Sequence, residues 1–462
     1  MASNTSIPTE LGTENIGKLL KQYALPAIIA QTASSLYNMV DSIFIGQGVG
    51  PLAISGLAIT FPLMNLSTAF GTLVGAGAAT MLSVLLGQQH YKAANKVLGN
   101  VVSLNIIIGL AFMAVSLIFI DPILYFFGAS ANTLPYAKEY IQIILYGNII
   151  THLYFGLNAA MRSTGFPKKA MALTIFTVVF NTILDPLFIF EFNMGIKGAA
   201  WATVISQAVA MLIVLRHFNN RTRAIHFDRG IVRMHWKVAK NSLIVGMGPF
   251  LMNAAACIVT LFINQQLRDY SGDLGIGAYG ICNRFIFMFI MICMGLFQGM
   301  QPIAGYNYGA RQYMRVKEVF WKTAKMATAV TCICFIIGQF FPRAAAGIFT
   351  HDPELKELAA NALRILTIAF PTVGFQMIGT NFFQSLGMVK RSIFLSLTRQ
   401  LIFLLPALYI LPLFIGTKGV WFSFTISDII SALLTAILLR GLFKKFNTLK
   451  DGDNSSILGG HL

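Results

Sequence analysis

The sequence predicts an all-α polytopic membrane protein with twelve transmembrane helices in two pseudo-symmetric six-helix lobes. Three observations carry this. Of 462 residues, 56% are hydrophobic and only 11% charged, with a mean hydropathy of +0.69; an average soluble protein has about 25% charged residues. Apolar runs long enough to cross a bilayer recur without strand-like alternation, which selects helices over a barrel. An offset of 222 residues relates the two halves. Length alone would suggest roughly three soluble domains, but so few charges cannot cover a soluble surface. Disorder, coiled coil and collagen fail on the same composition.

The polar start, 1–21, is read as a cytoplasmic segment and shows no small-residue cleavage site of a signal peptide. Spans follow at 22–45, 52–86, 97–120, 134–160, 170–190 and 198–216, giving an N-lobe over 22–216. A basic loop, 217–240, leads to a C-lobe over 241–440. Its spans are 241–266, 274–307, 318–341, 355–386, 392–413 and 419–440, and 441–462 is a tail. Spans beyond about 20 residues must tilt, kink or project. Pro26, Pro62, Pro186, Pro249, Pro302, Pro371 and Pro406 lie within spans. Each removes a helix hydrogen bond, and Pro26 is the candidate hinge.

The charges fix an orientation. With the N-terminus inside, cytoplasmic segments hold 25 of the 34 Lys and Arg, outer segments six, and the spans Arg284, Arg364 and Arg399. That bias places both termini inside. It also accounts for the net charge of +17 as a topological signature spread over seven segments, which excludes a nucleic-acid patch. The repeat aligns Leu52 with Leu274, Ile59 with Ile281 and Gly87 with Gly309. It also aligns Gly165-Phe-Pro-Lys168-Lys169 with Gly387-Met-Val-Lys390-Arg391 and, one residue off, Pro26 with Pro249. Six spans per half is an even number, so both halves enter the membrane in the same sense. Two such lobes make an alternating-access architecture.

Ionisable residues at membrane depth are costly and point to function. Asp41 and Asp185 both fall in the outer part of their spans. Asn181 lies one turn before Asp185 on the same face, and Thr203 enters span six at a similar depth. Two carboxylates, an amide oxygen, a hydroxyl and the Thr182 carbonyl that Pro186 frees suit a hard cation such as Na+. They equally suit a proton, since paired carboxylates titrate together.

The stretches Gln31-Thr-Ala-Ser-Ser-Leu-Tyr37-Asn38-Met-Val-Asp41, Asn181-Thr-Ile-Leu-Asp185-Pro186 and Gly198-Ala-Ala-Trp-Ala-Thr203 resemble the multidrug and toxic compound extrusion (MATE) family over the whole chain. The likeness is to the prokaryotic branch of DNA-damage-inducible protein F. The resemblance implies export of organic, cationic or amphipathic compounds by antiport against H+ or Na+, across a bacterial inner membrane. It implies coupling at Asp41, Asn181, Asp185 and Thr203, with Gln31, Tyr37 and Asn38 as substrate-cavity candidates. The family's other bacterial branch uses acids in spans seven and ten, and this sequence has none in span seven from Pro249 to Gln266 or in span ten after Leu358.

In the C-lobe, Arg399 and Asp428 stand near mid-depth on adjacent antiparallel spans and are read as a structural ion pair. Arg284 either faces the cleft as a substrate-cavity candidate or is structural. A flippase for a lipid-linked precursor is the alternative function; only Arg284 and Arg364 favour it. His152 is read as an interior histidine rather than a proton relay. Gly71-x-x-x-Gly75 is helix packing, not a phosphate loop. The five cysteines lie in apolar segments and read as packing residues. No nucleophile or metal motif suggests an enzyme. The expected partners are small organic substrates and membrane lipid, with no nucleic acid, no cofactor beyond the coupling ion, and a monomeric state.

Overall fold

The computed structural model describes residues 8–228 and 234–453, so Arg229 and Arg233 of the basic loop lie outside the described residues. Those described are helical throughout, without a strand. A short α1 (Glu10–Thr13) precedes α2 (Ile16–Gly48), α3 (Pro51–Gly87), α4 (Tyr91–Ile118) and α5 (Ile120–Phe126). Next come α6 (Leu134–Tyr146), α7 (Asn148–Ser163), α8 (Pro167–Pro186) and α9 (Ile196–Phe218). The second half begins with α10 (Trp236–Gly272) and α11 (Leu274–Gly309), which meet at Gly272, where φ is 62°. It continues with α12 (Tyr313–Phe340), α13 (Pro342–Gly347), α14 (Pro353–Thr367), α15 (Phe370–Ser385), α16 (Val389–Leu397), α17 (Leu405–Ile415) and α18 (Thr417–Thr448).

Nine of the described helices are long and apolar enough to cross a membrane, and α14 with α15, bent by 56°, forms a tenth. This is consistent with twelve. The other two expected spans are the ones most diluted by polar residues or broken. The 33-residue α2 carries Gln31, Tyr37 and Asp41. The fourth span is divided at Gly147 into α6 and α7, of 13 and 16 residues.

The repeat is visible in the backbone. Gln89 and Arg311, 222 residues apart, adopt left-handed φ of 60° and 58°. Gly165 and Gly387 do so at 99° and 72°, and Gly195 and Gly416 both at 58°. Turns with positive φ favour glycine because no Cβ meets the following carbonyl. The same loops are thus closed the same way in each half.

The helices assort into two compact units: residues 8–13 with 29–250, and residues 14–28 with 251–453. These do not coincide with lobes cut at 22–216 and 241–440. The first half of α2 belongs to the second unit, and the start of α10 belongs to the first. Both crossover points follow a repeat-related proline, Pro26 or Pro249, where the missing N–H loosens the helix. Glycines receive the exchanged segments. In the first unit, a Cβ on Gly77 would overlap the Ser242 backbone, and one on Gly246 would overlap Leu73. In the second, Gly295 and Gly299 meet Ile28 and Ala24 in the same way. Gly77 and Gly299 are 222 positions apart. Small residues at these points let backbones approach closely, which is how helices associate in lipid without a hydrophobic drive.

The two interiors differ. The core of the second unit includes Phe285, Phe370, Val373 and Trp421, with Phe289 packed on it. Phe289 and Phe370 occupy positions that the repeat equates with Ser67 and Asn148 of the first unit. There the interior is hollow and polar.

Candidate coupling site and cavity

A cavity of about 390 Å³ opens within the first unit. Its walls follow helical periodicity. Gln31, Ser34, Tyr37 and Asp41 form one stripe of α2, and Tyr140, Ile144, Asn148, Thr151 and Phe155 run along α6 and α7. Thr174, Thr177 and Asn181 come from α8, and Thr203 and Gln207 from α9. Spacings of three and four residues put each set on one helix face.

Thr203 sits at a junction of three helices. Its hydroxyl donates to the Ala199 carbonyl at 3.1 Å, so it accepts from the Tyr37 hydroxyl at 2.9 Å and from Asn181 Nδ2 at 3.4 Å. This ties α2, α8 and α9 together. With Asn181 Nδ2 committed, its Oδ1 has no hydrogen-bond partner. Neither oxygen of the fully buried Asp185 has one, nor does Oδ1 of Asp41, which is 6% exposed. The two carboxylates lie within electrostatic reach of each other and of Tyr37 and Tyr140. No Lys or Arg lines the cavity, and among the described residues none pairs with either carboxylate. Each unmet buried acceptor costs about 1–3 kcal/mol, and an unpaired buried charge costs more. Four such oxygens grouped together call for a positive charge or a proton.

The donor set contains only oxygen, which fits H+ or Na+. No group of three His, Cys, Asp or Glu exists among the described residues, so a transition-metal centre does not fit. Past Pro186 the helix widens into a π turn, Leu187–Glu191. Such a turn absorbs the bond that the proline cannot make, and it seats Asp185 at the junction.

The structure brings Asp41, Asn181, Thr203, Tyr37 and Gln31 to one cavity, with Asp185 beside it. Asn38 has its side chain outside the described residues. Arg284 does not line this cavity; it is exposed on the second unit, as is Arg364. There Arg399 Nε meets Asp428 Oδ1 at 2.6 Å, and the Ser427 hydroxyl donates to the Arg399 carbonyl at 2.6 Å. Arg399 stands in a π segment, Thr398–Leu404.

Sequence reasoning missed part of the lining. Tyr140 and the pair of Thr151 with Gln207 sit on the cavity wall, as do Tyr154 and Thr177, bonded at 3.1 Å. Their signal was a polar or aromatic residue every three to four positions. Ser67 bonds Asn148, and His152 Nε2 lies 2.9 Å from the Ser67 carbonyl. Nε2 therefore carries the proton, and Nδ1 is left without a partner. His152 is fully buried behind the wall.

A family model described as MatE matches residues 26–187 and 247–410, well over half of the chain and one segment per repeat. The chain belongs to the MATE family. Members of this family are transporters, not enzymes, and its apolar helices make this chain an integral membrane protein. The multidrug export protein MepA of Staphylococcus haemolyticus (strain JCSC1435) is 26% identical over 428 residues, covering 93% of this chain and 94% of the relative. MepA of Staphylococcus aureus (strain MW2) is 27% identical, over 91% and 93%. The solved structure of the MATE multidrug transporter DinF-BH is 37% identical, with a TM-score of 0.87 over 95% of this chain and 98% of that one. An outward-facing MATE transporter of the MOP superfamily shares the fold, with a TM-score of 0.90 over 96% and 100% at 23% identity.

Proposed function

We propose that this MATE transporter exports organic cationic or amphipathic compounds by antiport, using H+ or Na+ taken up at Asp41 and Asp185. The unpartnered oxygens of Asp41, Asn181 and Asp185 beside a cavity without basic residues carry this reading. The names of the relatives, multidrug export protein and multidrug transporter, support the substrate class. With the cavity open to the outside, the coupling ion neutralises the carboxylates. Thr203, held by Tyr37 and Asn181, passes the resulting shift between α2, α8 and α9. The bend near Pro26 changes, and the substrate leaves. Return to the inward-open state releases the ion to the cytoplasm. One charge crossing 100 mV supplies about 2.3 kcal/mol. We place the chain in a bacterial inner membrane with both termini cytoplasmic, an orientation that the bias of its basic segments supports. A flippase handling a pyrophosphate would want cations in the cavity, where Asp41 stands instead.

Proteoliposomes with imposed pH or Na+ gradients, tested on cationic, neutral and anionic dyes, check the proposal. Asp41→Asn is expected to abolish gradient-driven export of cationic dyes. Undiminished export by that variant would overturn the assignment.

A further inference from the structure

At the basic end of the first unit, a group of cations takes no part in the cycle proposed above. Phe166 follows the left-handed Gly165 and precedes α8. Lys169 Nζ lies 5.2 Å from the centroid of its ring, and Arg223 Cζ lies 4.8 Å from it. His217, nine-tenths buried, packs edge-on against the same ring at 4.7 Å and accepts a hydrogen bond from Arg223 Nη1 at 3.2 Å. Three basic side chains, from α8, α9 and the following loop, thus converge on one aromatic ring. The ring holds the cations in place but does not neutralise them.

Among the described residues, no carboxylate lies within 4 Å of Lys168, Lys169, Arg216 or Arg223. The acid of this loop, Asp228, faces His226 at 3.6 Å instead. Arg223 Nε is buried without a hydrogen-bond partner, and burial lowers the Arg223 pKa from its ordinary value. Lys168 and Lys169 also stand in the first turn of α8, where the helix dipole favours an anion and Phe166 offers no capping acceptor. The loop is pinned over this point. The Phe227 N–H donates to the Phe218 carbonyl at 2.9 Å, and the His226 N–H donates to Asn95 Oδ1 at 3.1 Å. Arg223 is therefore held in position rather than free to find a partner elsewhere.

We propose that Lys169 and Arg223, set around Phe166, form a binding site for a phosphate-bearing anion: the headgroup of an acidic lipid or free phosphate. Arg223 spends Nη1 on His217 and buries Nε, which leaves Nη2 as the charge-assisted donor to a phosphate oxygen. Lys169 adds a point charge across the ring. An acidic headgroup would be available at this depth, because basic pockets facing an anionic leaflet collect such lipids. Occupancy would fasten the loop after α9 to the start of α8.

The test uses the full-length protein in a neutral detergent at fixed ionic strength. Short-chain phosphatidylglycerol, phosphatidylcholine of the same chain length, and inorganic phosphate are each titrated, with binding read by native mass spectrometry and thermal stabilisation. Phosphatidylglycerol or phosphate is expected to bind saturably and phosphatidylcholine not. Saturation by phosphatidylglycerol alone assigns the site to lipid, and matching saturation by inorganic phosphate assigns it to the free ion. The double variant Lys169→Gln/Arg223→Gln is expected to weaken binding about tenfold or more, from the loss of charge-assisted bonds. Arg223→Lys, which keeps the charge and loses the guanidinium donors, should fall between. Lys390→Gln/Arg391→Gln removes the same charge from the repeat-equivalent turn and should change nothing. Equal weakening by both double variants, or saturable binding by neither phosphate compound, overturns the site.

Discussion

Thr203 shows how much one hydroxyl can organise. It gives its proton to Ala199 and accepts from Tyr37 and Asn181. Thr203→Val keeps the shape and removes both acceptor contacts. The expected loss is about 1–3 kcal/mol of stability, read by thermal unfolding in detergent, together with slower gradient-driven export. Asp185→Asn should behave in the opposite way. It removes a buried carboxylate with two unmet oxygens, so stability should hold or rise while coupled export is lost. Proton release measured on addition of substrate would show the loss directly. In the second unit, Asp428→Asn strips Arg399 of its partner. A broken buried pair costs about 3–5 kcal/mol. Arg399 is 33% exposed, so solvent screening brings the expected cost down to about 2 kcal/mol. Replacing both residues with Met should recover most of that loss. The companions of Asp41 and Asp185 were legible from the sequence as residue types at one depth. That their oxygens have no hydrogen-bond partners was not, because it depends on which way each side chain turns.

Among the helices, the glycine contacts divide positions that look alike in sequence. Gly77→Ala would drive a methyl into the Ser242 backbone. Overpacking of this kind costs about 1–3 kcal/mol, visible as a lower unfolding temperature. Gly441 also lies inside a helix, but nothing stands within 4 Å of its added Cβ. Gly441→Ala should therefore stabilise by about 0.5–1 kcal/mol, the helix-propensity difference. The sequence places Gly77 in an apolar span and Gly441 at the start of the tail, and it does not record what either glycine faces. It placed the spans well because apolar runs of bilayer length are a local property. It did not foresee the break at Gly147, the π turns after Pro186 and around Arg399, or the exchange of the first halves of α2 and α10. Those depend on what a helix packs against. Pro26 and Pro249 carried a signal as helix breakers, and they stand beside both crossover points.

For the molecule as a whole, the charge distribution predicts one orientation. Single cysteines at positions 90 and 450, in a background lacking the five native cysteines, should react with an impermeant thiol reagent only from the cytoplasmic side, and one at 418 only from outside. Reaction of all three from one side would contradict the charge rule. The repeat also divides labour. The first unit keeps an acidic, hydroxyl-rich hollow, while the second fills the equivalent space with Phe289 and Phe370 and buries an ion pair.

By itself the sequence determined class, repeat and family, and it named the two carboxylates. Hydropathy, charge bias and short motifs are written in local order along the chain, so they can be read without coordinates. The tertiary structure decided that one half is hollow and the other filled. It decided that Arg284 is not among the residues lining the cavity, that Tyr140, Thr151 and Gln207 line it, and that a helix start is grouped with the other unit. Each of these turns on which residues, hundreds of positions apart, compete for one volume, and no local pattern in the chain records that competition.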